Sequence, residues 1–371
     1  MIKLTSDKST AKDTSNSTSA TKRRESKSGE GDPVKTSPLS NIKNGTEDDQ
    51  EAEMTVRPQK LDEIIGRVDE KKKIGMMIKS ACKRGESVDH ILFYGPPGLG
   101  KTTFALAIAN ELGGHLHVTS GPAIQKIGDL ATILTSLKRN DVIFIDEIHR
   151  LRKGVEEVLY PAMEDGKLDI VVGKGVSAKT LRLNLEQFTL IGATTQIGNI
   201  SSPMRDRFGL VQRLEFFGSG DLKKMLSRAA KIWKIEADEE SLLEIALRSR
   251  GTARIALRLL RRVRDFMEAY SKDVDRLNKE IVDEALELLG VDTYGLEDLD
   301  RKILSVMYEY YSGGPVGLST LAATVSDDIN TIADVYEPYL LQIGFISRTP
   351  RGRMLTEKGV GYAQKLLGTD L

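Results

Sequence analysis

Residues 91–103 read Ile91-Leu92-Phe93-Tyr94-Gly95-Pro96-Pro97-Gly98-Leu99-Gly100-Lys101-Thr102-Thr103, and the order of residue types in this stretch decides the fold. Four residues separate Gly95 from Gly100, and Lys-Thr follows at once, the spacing of a phosphate-binding loop. The apolar run before it predicts a strand, and Phe104-Ala105-Leu106-Ala107-Ile108-Ala109 after it predicts a helix. Strand, glycine turn and helix are the setting the motif needs. Glycines let backbone N–H groups close around a polyphosphate, and the helix N-terminus behind them favours negative charge. Lys101 would reach the β- and γ-phosphates, and Thr102 would hold Mg²⁺. A chance glycine-rich turn would not carry both flanks together with Lys-Thr. The stretch therefore predicts nucleotide binding.

A second run, Val142-Ile143-Phe144-Ile145-Asp146-Glu147, has four apolar residues in a row, which calls for burial on both faces, as in a central parallel strand. It ends in two carboxylates and resembles the second nucleotide motif, Walker B. Asp146 would emerge beside the phosphate loop and hold Mg²⁺ through water, and Glu147 is placed to polarise an attacking water. A further buried strand over residues 188–195 delivers Thr194 and Thr195 at its C-terminal end, where a hydroxyl can sense a γ-phosphate. Arg205 and Arg207 follow on a turn. An arginine there can complete a neighbouring subunit's site as a finger; for one of the two, pairing with Asp206 on the surface is the plainer reading. Upstream, Leu61, Ile64, Ile65 and Val68 predict an amphipathic helix, and residues 71–84 a second. Leu168, Ile170 and Val172 alternate with polar partners, as do Leu181, Leu183 and Leu185, with Gly173 and Gly175 between. That predicts an inserted β-hairpin, either half-buried or offering an apolar docking edge. The alternating βα units imply a parallel sheet.

Composition narrows the field. The 371 residues allow two or three domains, each with its own core. Lys plus Arg and Asp plus Glu both number 54, so any nucleic-acid binding must come from a local patch. One cysteine, Cys82, excludes a disulfide framework and suits a reducing cytosol. His90, His115, His117 and His149 show no metal-ligand grouping. No apolar run approaches the roughly 20 residues of a membrane span, and no signal peptide follows Met1. Residues 1–54 contain no aromatic residue, and 16 of them are Ser or Thr, a composition that predicts a disordered tail.

Beyond residue 217 the pattern changes. Residues 218–290 read as a helical domain, with helices at 222–233, 239–250, 253–270 and 279–289. Arg254 opens the third of these, where it can reach back to a γ-phosphate, while Arg258, Arg261, Arg262 and Arg264 read as a solvated face or ion pairs. Residues 291–371 have the rhythm of a winged helix: helices at 301–311, 318–325 and 329–343, then two short strands around Thr349-Pro350-Arg351-Gly352. From Arg301 onward bases and acids balance at seven each, yet no acid lies between Pro338 and Thr356, where Arg348, Arg351 and Arg353 crowd the wing. That local footprint suits a phosphate backbone, with a protein-interaction role as the alternative.

Six stretches together resemble the RuvB family of AAA+ ATPases, which drive branch migration of Holliday junctions. They are residues 95–103, Asp146-Glu147-Ile148-His149-Arg150, Met163-Glu164-Asp165, Pro203-Met204-Arg205-Asp206-Arg207-Phe208-Gly209, residues 261–266 and Arg348-Thr349-Pro350-Arg351-Gly352-Arg353. The likeness runs over residues 56–367. It implies an α/β AAA+ P-loop ATPase domain with a parallel sheet over residues 55–217, an α-helical lid over 218–290 and a winged-helix head over 291–371. It also implies ATP and Mg²⁺, a homohexamer around duplex DNA, four-way junctions as substrate and no membrane. RuvA would dock through the hairpin near 168–185, RuvC would cooperate, and the setting would be cytoplasmic DNA recombination, repair and the SOS response. By position, Val56 and Arg57 would line the adenine side, and Gly98, Gly100, Lys101, Thr102 and Thr103 the phosphates. Glu164, Asp165 and Gly166 would border the nucleotide. Thr195 matches the sensor threonine with Thr194 beside it, Arg207 the finger, and Arg254 the lid sensor. Arg348 and Arg353, with Arg351 at the turn, would touch DNA.

Three positions depart from the family pattern. Phe217 stands where a nucleotide-contacting Tyr is usual, so ring packing survives and a hydroxyl contact does not. Ile329 stands where an Arg touching DNA is usual, and Gly166 replaces a bulkier residue. Two rivals frame the expectation. A clamp-loader-type ATPase would carry Ser-Arg-Cys at the finger in place of Met204-Arg205-Asp206-Arg207. An ATP-switched DNA-binding regulator would use the winged helix for sequence readout.

Overall fold

Strands without a polar face must lie between two layers, and the chain puts them there. The structure is a computed structural model and describes residues 47–172, 179–270 and 276–368. Its first part holds β1 (Ile91–Tyr94), β2 (Leu116–Ser120), β3 (Val142–Asp146), β4 (Lys167–Val172), β5 (Lys179–Asn184), β6 (Thr189–Thr194) and β7 (Leu210–Arg213). Five of these make one parallel sheet in the order β2-β3-β6-β1-β7. The helices are α1 (Glu47–Val56), α2 (Val68–Arg84), α3 (Lys101–Leu112), α4 (Ile127–Ser136), α5 (Lys153–Asp165) and the short α6 (Ser202–Arg205). Alternate strand residues feed two cores. Ile91, Phe93, Val142 and Phe144 pack with α2 and α3, while Leu92, Ile143 and Ile145 pack with α4 and α5. Each such side chain, fully buried, contributes about 1.5–3 kcal/mol. Parallel pairing also aligns the strand ends. Tyr94 lies beside Thr194, and β3 ends at Asp146 next to β6, so the glycine loop, the carboxylates and the threonines meet at one edge of the sheet.

Two expectations at the start of the chain need correction. The tail expected over residues 1–54 falls on 1–46, which lie outside the described residues, but Glu47–Val56 is helical. Its end rests on a tertiary partner that composition does not reveal: the Trp233 indole donates to Thr55 Oγ1 at 3.1 Å. The amphipathic helix expected over Leu61–Val68 is only a 3₁₀ turn, Leu61–Glu63. Gly66 (φ 67°) and Arg67 (φ 54°) are both left-handed, which no α-helix can pass through, and α2 starts only at Val68. The hairpin forms as expected, with Leu168 opposite Leu183 and Ile170 opposite Leu181. Leu168 is buried and Leu181 exposed; Gly173 and Gly175 lie outside the described residues.

The next part is helical: α7 (Ser219–Trp233), α8 (Glu239–Leu247), α9 (Ala253–Tyr270) and α10 (Lys279–Leu288), around a separate core that includes Leu222, Leu226, Leu259 and Leu286. The last part has α11 (Asp298–Glu309), α12 (Leu318–Val325), α13 (Ile329–Thr331), α14 (Glu337–Gln342), β8 (Ile346–Thr349), β9 (Gly352–Leu355) and α15 (Glu357–Leu367). Its own core contains Leu304, Met307, Tyr336 and Phe345. The single helix expected over 329–343 is interrupted by a π turn at Ile332–Tyr336. Pro338 stands two residues beyond its end; it has no N–H for the regular ladder, and the wider turn accommodates that loss.

Candidate active site

The glycine loop leads straight into α3, whose N-cap is Gly100 in left-handed backbone (φ 91°) with no capping side chain. The first amides of α3 are thus free to face an anion. Gly98 is where the loop meets the helical part. Its carbonyl accepts from the Ala253 amide at 3.2 Å, and a Cβ added there would lie 3.0 Å from Cβ of Arg254. Lys101 is 8 % exposed, and its Nζ donates to the carbonyls of Gly95 (2.8 Å) and Pro96 (3.0 Å). Burial pushes its pKa down, Asp146 and Glu147 oppose that, and Arg254 pushes it down further. Arg57 is depressed in the same way, by burial first, against Glu53 and with Arg254.

Val56, Arg57, Gly98, Gly100, Lys101, Thr102, Thr103, Asp146, Glu147, Phe217 and Arg254 line one cavity, so the structure brings together eleven residues singled out in the sequence. Ile64, Ile65, Met225 and Leu257 add an apolar wall that sequence reading did not find, since such residues read as ordinary core. Mutually repelling cations on one side, and a hydroxyl with two carboxylates on the other, fit a nucleoside triphosphate with its divalent cation.

Asp146 closes β3 and accepts the Glu147 amide at 3.0 Å. Glu147 is left-handed (φ 47°), a conformation that costs a residue with a side chain about 1–3 kcal/mol and is typical of functional turns. Its Oε2 lies 3.1 Å from His149 Nδ1 and accepts from Thr195 Oγ1 at 3.3 Å. Thr194 Oγ1, fully buried, sits 2.9 Å from the same ring nitrogen. Both threonines therefore stand behind Glu147 rather than on the cavity, Thr195 bound to it directly and Thr194 through His149. The sequence placed His149 in the family-like stretch Asp146–Arg150 but otherwise offered it only as a histidine without ligand partners, with no sign that it would bridge Thr194 and Glu147.

Glu164, Asp165, Gly166 and Arg207 lie elsewhere, on a second cavity shared with Asp89 and His90. Arg207 pairs with Glu164 at 3.0 Å, donates to the Pro203 carbonyl at 2.6 Å and lies 4.3 Å over the Tyr160 ring. Within one chain, then, residues 164–166 do not border the phosphate loop. At the wing, Arg348 and Arg353 both bind Glu337, a carboxylate 1 % exposed, at 2.9 and 2.8 Å. The acid-free stretch is thus neutralised in part from just outside it; Arg348 and Arg351 are both exposed, and of the three arginines Arg351 alone has no acidic partner among the described residues. Arg67 lies 4.1 Å over the Phe217 ring, holding that ring at the cavity wall. Among the described residues there is no metal-ligating cluster of three His, Cys, Asp or Glu, and no helix long and apolar enough to cross a membrane.

A parallel sheet with a glycine phosphate loop, paired carboxylates and a helical lid over them defines an AAA+-type P-loop ATPase. Three family models match: the Holliday junction DNA helicase RuvB P-loop domain over residues 56–214, the RuvB AAA lid domain over 217–292, and the RuvB C-terminal winged helix domain over 293–364. The chain belongs to the RuvB family. It is 52 % identical over 317 residues to the Holliday junction branch migration complex subunit RuvB of Fusobacterium nucleatum, covering 85 % of this chain and 95 % of that one. The solved Thermotoga maritima RuvB Holliday junction branch migration motor is 48 % identical with a TM-score of 0.75, covering 85 % of this chain and 99 % of that one. A point mutant of that Thermotoga protein gives a TM-score of 0.77 at 49 % identity.

Proposed function

We propose that this protein is an ATP-driven motor that moves duplex DNA through Holliday junctions, as a homohexamer working with RuvA and RuvC. The observation that carries the reading is the division of labour between the two cavities: phosphate loop, carboxylates and Arg254 on one, Arg207 on the other. A site so divided is completed by a second copy of the chain. We assign the ATPase domain to residues 55–217, the lid to 218–290 and the head to 291–371.

In this reading Lys101 and the α3 amides hold the β- and γ-phosphates, and the apolar wall with Val56 and Phe217 holds the base. Thr102 and Asp146 would hold Mg²⁺, whose positive charge would offset that of the phosphates. Glu147 orients the attacking water, and Thr195 directly and Thr194 through His149 carry its response to the γ-phosphate back to β6. Arg207 of a neighbouring copy stabilises the transition state. Arg254 lets the lid answer phosphate release. The hairpin β4–β5, with Leu181 exposed, is the surface for RuvA, and Arg351 with Arg348 and Arg353 the contact to DNA. The test is migration of a synthetic four-way junction by the purified chain with and without RuvA and ATP. ATP-dependent strand separation that Lys101→Ala abolishes is expected; migration that needs no ATP, or none under any condition, refutes the reading.

A further inference from the structure

One cluster of buried charge lies outside both cavities. Arg250, in the turn between α8 and α9, is 5 % exposed and left-handed (φ 51°). Its Nη2 pairs with Glu297 Oε1 at 3.1 Å and with Asp300 Oδ2, its Nε donates to the Gly295 carbonyl at 2.7 Å, and the Tyr339 ring lies 5.4 Å away. Glu297 and Asp300 are the N-cap and third residue of α11, where each also accepts the other's backbone amide. The first turn of the winged-helix part is therefore built around a cation from the helical part. Beside it, a Cβ on Gly295 would collide with the Arg248 carbonyl, and Arg248 is itself fixed by Glu244 at 2.7 Å and by Asp283.

The same segment reaches the nucleotide cavity within four residues. The Gly251 carbonyl accepts from the Phe217 amide at 2.8 Å, the Ala253 amide donates to Gly98, and Arg254 lines the cavity. Four residues of chain span at most about 14 Å. Two carboxylates share one guanidinium here, and Glu297 Oε2 and Asp300 Oδ1 have no hydrogen-bond partner among the described residues. Apolar residues would often fill such a site at no greater cost, so stability does not explain the charges. Orientation does, because a guanidinium fork on carboxylates admits few geometries.

We propose that Arg250 is a positioning residue that clamps the lid to the head, so that the two turn as one lever driven from residues 251–254. This rests on the motor reading above. The test uses the full chain with Arg250→Met, Glu297→Gln and Asp300→Asn combined, which leaves no orphaned ion, and separately with Arg250→Lys, which keeps the charge and loses the fork. With Cys82→Ser as background, spin labels at Lys231→Cys on α7 and Lys365→Cys on α15, both exposed positions, report the lid-to-head distance.

The unaltered joint should give one narrow distance, the same with and without a non-hydrolysable ATP analogue, and both variants should broaden it. ATP turnover should stay within about twofold while junction migrated per ATP falls roughly tenfold, the loss of a coupling rather than of chemistry. A narrow distance in folded variants, an unchanged yield of migration per ATP, or an unaltered joint whose distance shifts with nucleotide would each overturn the proposal. If the triple variant does not fold, Arg250→Lys decides by the same readouts. An unaltered protein that turns over ATP yet moves no junction refutes the motor reading, and the distances still judge the clamp.

Discussion

At Glu147 backbone and side chain are constrained together: the turn is left-handed, and the carboxylate is held by His149 and Thr195. Glu147→Gln keeps the shape and removes the charge proposed to orient water. ATP affinity should then stay close to that of the unaltered chain while turnover falls by about 10²–10⁴-fold, measured by comparing nucleotide titration with phosphate release. Lys101 makes a different prediction, in pH. Burial holds its pKa below 10.5 in the free cavity, and bound phosphates favour its charged form, so the bound pKa is the higher one. ATP affinity should therefore be full below the free pKa and decline as pH rises from there toward the bound value. Titrations at stepped alkaline pH check this, and an affinity flat up to pH 10.5 would remove Lys101 from the phosphates.

Among the elements, the wing shows how a charge count can mislead. Burial would raise the pKa of Glu337, but hydrogen bonds from Arg348 and Arg353 outweigh it and hold the carboxyl below its usual 4.5. Its support of the wing is thus present above about pH 4.5 and is lost as pH falls through the lowered value. Glu337→Gln should release one positive charge toward DNA, tightening duplex binding and steepening the salt dependence by about 0.9 in log–log slope. An unchanged slope would mean the wing does not meet phosphate. The acids were counted along the chain, and Glu337 stood one residue outside the window; only folding α14 against β8 and β9 brings it in. β1, β3 and the phosphate loop, by contrast, were legible because four apolar residues in a row leave a strand no exposed face, and glycine spacing is local. The Gly66–Arg67 break was not legible, since Arg67 gives no sign of left-handed backbone. The helix Glu47–Val56 was hidden because its acidic composition says nothing of Trp233. His149 was hidden because a bridge across two strands has no spacing of its own.

For the whole molecule, the separation of Arg207 from the phosphate loop makes a prediction that a self-sufficient site would not. Arg207→Ala should bind ATP and lose about 10³-fold or more in turnover. Mixing it with Lys101→Ala, itself inactive, should restore part of the activity, because mixed rings pair an intact loop with an intact arginine. Two inactive proteins that stay inactive together would argue for a site contained in one chain. Gly98 adds a last consequence. Its carbonyl is tied to the amide of Ala253, its backbone is left-handed (φ 78°), and a methyl group there would press on Cβ of Arg254 at 3.0 Å. A lid that swings away from the phosphate loop must therefore break this hydrogen bond, so nucleotide release and lid opening draw on the same joint. A fluorescent ADP should accordingly dissociate faster from Gly98→Ala, which strains the loop and pushes Arg254 off it.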